Sequence, residues 1–142
     1  MSIKIIAEAA QGFEGKYDQA MLLLKAGASA KADAIKFQMV FADELCTKDY
    51  LYSKLFKSLE MTNTQWRSLL QASIKLGIEL QLDIFGKKSL SLCSKLGIKT
   101  IKLHPTDITN THLLKLIKNS KINNIILGVG GATFKEINLA LE

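Results

Sequence analysis

The chain has 142 residues, of which 48% are hydrophobic and 23% charged, with a single proline; this excludes a disordered or collagenous polymer and sets a ceiling of one compact domain. Nineteen basic and thirteen acidic side chains give a net charge of +6, but Arg67 is the only arginine and the lysines are dispersed, so no nucleic-acid partner is expected. No run approaches the roughly 18 apolar residues of a membrane span, so no membrane partner is expected either. Cys46 and Cys93 lack metal-type spacing and read as packing thiols in a reducing compartment. The opening Met1-Ser2-Ile3-Lys4-Ile5-Ile6 has no leader pattern, which predicts a cytoplasmic protein.

In chain order, short apolar runs alternate with amphipathic segments of helical length, the pattern of repeated βα units on a parallel sheet. Strands are predicted at 3–8, 34–38, 78–83, 100–104 and 125–128. After the second strand, the connection 39–61 is far longer than ordinary βα loops and holds Phe41, Tyr50, Tyr52 and Phe56 among charged residues. It reads either as a cover over a polar ligand or as an extra helix at 49–59. The next helix opens on a Thr62/Gln65 capping box and stops at Gly77. Another follows Gly86 and stops at Gly97, a third follows Thr109, and the last opens on Thr133 and Glu136.

Two α/β architectures use five such units. An open flavodoxin-like sheet suits the length, whereas a complete (β/α)8 TIM barrel takes about 250 residues. Side-chain alternation points to part of a barrel. Glu8 shares a face with Ile6, while Lys36 and Gln38, Gln81 and Asp83, and Lys102 and His104 each fall on the strand face opposite apolar neighbours. Helices covering both faces would bury these groups at several kcal/mol for each unpaired charge, while a barrel mouth offers them water and ligand.

If those faces converge, Lys36 and Lys102 form an anion site, with Glu8, Asp83 and Asp107 as carboxylates and Gln38 and His104 as polar partners. The run Gly128-Val129-Gly130-Gly131 before the last helix reads either as a backbone cradle for an anion or as a tight turn. Lys36 paired with Glu8 is equally readable as a structural ion pair.

The segments Ile5-Ile6-Ala7-Glu8, Ala32-Asp33-Ala34-Ile35-Lys36-Phe37-Gln38 followed by Ala42-Asp43-Glu44-Leu45, Gly77-Ile78-Glu79, Ile101-Lys102 with Asp107-Ile108-Thr109-Asn110, and Ile125-Ile126-Leu127-Gly128 resemble the sialic acid synthase (N-acetylneuraminate synthase) family, in order along nearly the whole chain. The Lys-Phe-Gln triplet is its most specific part. The resemblance implies a (β/α)8 barrel that condenses phosphoenolpyruvate with an N-acyl sugar such as N-acetylmannosamine in nonulosonic acid biosynthesis, with a divalent metal, Mn or Mg. It places Lys36 and Lys102 at positions that hold phosphoenolpyruvate, and Glu8, Gln38 and Asp107 near the sugar and the reacting carbons. Asp83 and Gly128 stand where the resemblance implies hydroxyl residues that hold phosphoenolpyruvate, and the strand-end constellation and the glycine run add His104 and Gly130 as further expected substrate-binding positions.

The chain departs from the family pattern at several points. Gly12-Phe13 stands for Asn-His, Asp107 for Glu, and Asp83, Pro105 and Gly128 for hydroxyl residues. The expectation is therefore one domain, 1–142, forming the N-terminal part of a synthase barrel without the later half-barrel, the antifreeze-like domain or the family's metal ligands. Such a piece is expected to expose strand edges and an apolar interior face, and hence to self-associate. The alternative is a self-contained flavodoxin-like anion-binding or signalling domain.

Overall fold

The structure, a computed structural model, describes residues 3–142; Met1 and Ser2 of the opening segment lie outside them. In chain order it contains β1 (Ile6–Ala10), α1 (Tyr17–Ser29), β2 (Ala34–Gln38), α2 (Ala42–Leu45), α3 (Ser53–Ser58), α4 (Asn63–Leu76), β3 (Glu79–Ile84), α5 (Lys87–Leu96), β4 (Thr100–Leu103), a 3-10 turn (Pro105–Asp107), α6 (Thr111–Lys118), β5 (Asn124–Leu127) and α7 (Phe134–Leu141).

All neighbouring strands pair in parallel, in the order β1-β2-β3-β4-β5. This order separates the two architectures. A flavodoxin-type sheet places its first strand inside the sheet; here β1 and β5 are the edges of a sheet wound in one direction. With right-handed crossovers, such winding lays every helix on one face and leaves the other open, as in successive units of a (β/α)8 barrel.

The helix-covered face is the core. Ile35, Phe37, Leu80, Leu82, Ile101 and Leu103 pack there with Leu24, Trp66, Leu69 and Leu113. Phe13 and Trp66 meet edge to face with ring centroids 5.8 Å apart, and Phe37 lies 6.0 Å from Phe13; such pairs add about 0.5–1.5 kcal/mol beyond the area they bury. Phe13 is thus a core residue.

Helix ends follow local chemistry. The Thr62/Gln65 and Thr133/Glu136 capping boxes both form, and Gly77 and Gly97 end their helices at φ +70° and +76°, where glycine carries no Cβ penalty. Asn110, one residue past the expected Thr109, caps α6 through Leu113 N–H.

Three expectations need correction. First, β1 begins at Ile6, because Ile5 N–H donates to the Asp33 carboxylate at 2.7 Å, and the strand continues past Glu8 through a bulge at Ala9 to Ala10, φ 45°. Second, the helix expected at 49–59 is present but shorter, as α3, and the connection 39–61 carries a second short helix, α2, before it; buried Met39, Val40, Leu59 and Met61 pin the two ends of the connection. Third, the open face is not apolar. Ile6, Ala34 and Ile126 share it with Glu8, Lys36, Glu79, Gln81, Asp83, Thr100 and Lys102, whose polar groups are largely bonded to one another.

Candidate active site

Parallel register brings the charged side chains of four strands into one row. Glu8 lies opposite Lys36, Gln38 opposite Asp83, and Asp83 opposite Lys102. The Lys36 ammonium donates to Glu8 Oε2 and to Asp83 Oδ1, the latter at 2.8 Å, and Lys102 Nζ donates to Asp83 Oδ2 at 3.1 Å. Glu8 is held from behind by the bulge, since its Oε1 accepts Ala10 N–H at 3.1 Å.

Burial along the row is uneven. The Asp83 side chain is 0% exposed, Lys36 5%, Lys102 24% and Glu8 49%. Burial pulls the Lys36 pKa down, but the hydrogen bonds to Asp83 and Glu8 outweigh it and hold the group above the ordinary 10.5. Two ammonium groups face two carboxylates, so the row is neutral as a whole.

Toward the N-terminal ends of the strands a second polar layer follows. Glu79 accepts from Thr100 Oγ1 and from Gln81 Nε2, and Asn124 Nδ2 donates to Thr100 Oγ1. Gln81 Oε1 is buried without a partner. In the sequence Glu79 stands out only within the Gly77-Ile78-Glu79 segment of the resemblance; its alternation with Gln81 and Asp83 is the signal that places it on the polar face.

The remaining sequence candidates lie at or just after the strand ends. Half-buried Gln38 ends β2 beside Asp83. His104 Nδ1 pairs with Thr106 Oγ1 at 2.9 Å and its ring lies 5.8 Å from Phe85; Asp107 Oδ1 accepts from Asn110 Nδ2 at 3.0 Å. Gly128 fits against Pro105 so closely that an added Cβ would stand 2.6 Å from Pro105 Cδ. Gly130 has room for a methyl group, and the α7 N-terminus beyond it is capped by its own Glu136 carboxylate.

The sequence profile of the NeuB family matches residues 23–142. The chain belongs to the NeuB family. It is 29% identical over 156 residues to N,N'-diacetyllegionaminic acid synthase of Legionella pneumophila, covering 100% of this chain and 44% of that protein. Among solved structures, the sialic acid synthetase of Leptospira borgpetersenii in complex with citrate superposes with a TM-score of 0.90 at 28% identity, covering 98% of this chain and 49% of that one. A truncated 3-deoxy-D-arabino-heptulosonate 7-phosphate synthase of Thermotoga maritima, at 13% identity and TM-score 0.69, shares the fold alone. The chain spans 39% to 45% of the length of the curated relatives it matches.

Within this NeuB-family chain no three His, Cys, Asp or Glu side chains among the described residues are grouped to hold a metal ion. Glu8 and Asp83 already bind ammonium groups, and His104 is engaged by Thr106. The residues present therefore do not fit a resident divalent metal, and no chemical step is assigned to one. Among the described residues no helix is long and apolar enough to cross a membrane.

The long connection builds the outer rim of the same strand ends. Its Glu44 caps α5 from 44 residues away, accepting Lys88 N–H and, at 2.6 Å, Ser89 Oγ–H. A cavity of about 490 Å³ opens beside it, lined by Phe41, Cys46, Lys48, Lys54 and Lys88. Tyr50 packs on Tyr52 and Phe56, and both tyrosines are about half exposed.

Proposed function

We propose that the chain supplies the phosphoenolpyruvate-binding part of a NeuB-type synthase, which joins phosphoenolpyruvate to an N-acyl sugar such as N-acetylmannosamine, consuming water and releasing phosphate. The observation that carries this reading is the row Glu8-Lys36-Asp83-Lys102, which runs from the middle of β1 and β2 to the C-terminal parts of β3 and β4, toward the end where barrel enzymes build their sites. The names of the Legionella and Leptospira relatives support the reaction class.

In this reading Lys36 is a fixed cation and Lys102, less buried, meets the ligand's anionic group. Half-exposed Glu8 and the Asp107 carboxylate are the groups available to move protons near the reacting carbons. Gln38 and His104 offer polar contacts to the ligand, and the Gly128 to Gly130 turn closes the rim. The divalent metal that the resemblance implies takes its ligands from outside these residues. The single domain forms the N-terminal part of a cytoplasmic synthase barrel. Exposed Ile6 and Ile125 on the two sheet edges support pairing with a second copy, and sedimentation at rising concentration checks this.

Thermal unfolding in millimolar phosphoenolpyruvate tests the reading. The ligand raises the midpoint of the wild-type chain, and Lys102→Met removes most of that rise. No shift in the wild type refutes it.

A further inference from the structure

We infer that Asp83 is the residue that sets how much negative charge this site accepts: a buried counterion between Lys36 and Lys102 that weakens binding of phosphorylated anions relative to simple carboxylates of the 2-oxo acid class. The inference rests on the proposed reading of the row as an anion site, and it names the ligand property that the site selects.

Three observations carry it. Each Asp83 oxygen is committed to a different lysine, Oδ1 to Lys36 at 2.8 Å and Oδ2 to Lys102 at 3.1 Å, so one carboxylate occupies the bridging position that an incoming anion would take. Its side chain is fully buried between β2 and β4, which bars it from swinging into water, whereas Glu8 is half exposed and already borders solvent. The lysines are therefore offset by a negative charge that stays in place. Beyond the strand ends, Pro105, which has no N–H, packs against Gly128, which has no side chain, so neither position offers a side-chain donor to phosphate oxygens.

The sign follows from Coulomb's law. Repulsion by a fixed carboxylate grows with the charge of the ligand, so phosphoenolpyruvate, close to a trianion, is disfavoured about three times as strongly in free energy as monoanionic pyruvate. A change that tightens the first tenfold tightens the second only about twofold.

Calorimetric titration of the wild type, Asp83→Ser and Asp83→Asn with phosphoenolpyruvate and with pyruvate tests this, with circular dichroism confirming that each variant is folded. The expected result is at least about tenfold tighter phosphoenolpyruvate in a folded variant, with pyruvate changed about twofold. Unchanged or weaker phosphoenolpyruvate binding in both folded variants overturns the inference. Should neither variant fold, the wild type alone decides. The inference requires affinities for the two ligands within about tenfold of each other, and a larger preference for phosphoenolpyruvate overturns it while leaving the anion-site reading intact. Binding of neither ligand to any folded form overturns that reading, and the inference with it.

Discussion

Replacing Lys36 by Met removes an ammonium group while keeping most of an apolar stem in place. At 2.8 Å and an effective dielectric near 20, the gross attraction between Lys36 and Asp83 is about 6 kcal/mol. Taking each ion out of water costs several kcal/mol, so the intact pair contributes little net. Removing one partner is different, because it leaves Asp83 buried with only the 3.1 Å contact to Lys102. Losing one partner of a buried pair typically costs about 3–5 kcal/mol. The surviving lysine, and the return of half-exposed Glu8 to water, place the loss near the bottom of that range, at about 3 kcal/mol. In urea unfolding this lowers the midpoint by about 1–2 M. The double variant Lys36→Met/Asp83→Leu removes the stranded charge and regains part of the loss. A single-variant loss below about 1 kcal/mol, or a double variant as unstable as the sum of its single changes, refutes the account of the row as a coupled buried network.

Gly128→Ala drives a Cβ to 2.6 Å from Pro105 Cδ and costs about 1–3 kcal/mol, whereas Gly130→Ala, with its nearest neighbour at 3.9 Å, changes stability by less than about 0.5 kcal/mol in the same unfolding assay. Glu44→Ala strips the α5 N-terminus of its distant carboxylate and lowers stability by about 1–2 kcal/mol; amide exchange is expected to rise first at Lys88 and Ser89. Burial pushes the Cys93 thiol up from 9.0 to about 12. The folded state therefore keeps that proton when the unfolded chain has lost it, and stability falls as pH rises from about 9 toward 12. A thiol reagent at neutral pH is accordingly expected to label half-buried Cys46 quickly and Cys93 only on unfolding.

The strands and most helix ends were legible in the sequence because they are set by local signals: alternation with period two, the Thr62/Gln65 and Thr133/Glu136 boxes, and the stops at Gly77 and Gly97. Alternation also placed Lys36, Asp83 and Lys102 on one face. Which groups pair depends on register, and register between parallel strands is not written in either strand alone; hence the sharing of Asp83 by both lysines emerged only with the fold. The Ala9 bulge, which shifts β1 against β2, left no clear mark in Ala7-Glu8-Ala9-Ala10. Glu44 reads as one more surface carboxylate until the fold brings α5 to it. Phe13 was noticed as a departure from a family pattern, yet its place against Phe37 and Trp66 is a matter of tertiary packing.

In the proposed reading an anionic ligand binds at the strand-end row. Amide chemical-shift mapping of the isotopically labelled chain during titration with phosphoenolpyruvate tests it most directly. Saturable shifts are expected, concentrated at Glu8, Lys36, Gln38, Asp83 and Lys102. Shifts confined to the outer-rim cavity around Lys48, Lys54 and Lys88, or no saturable shifts at millimolar ligand, contradict it.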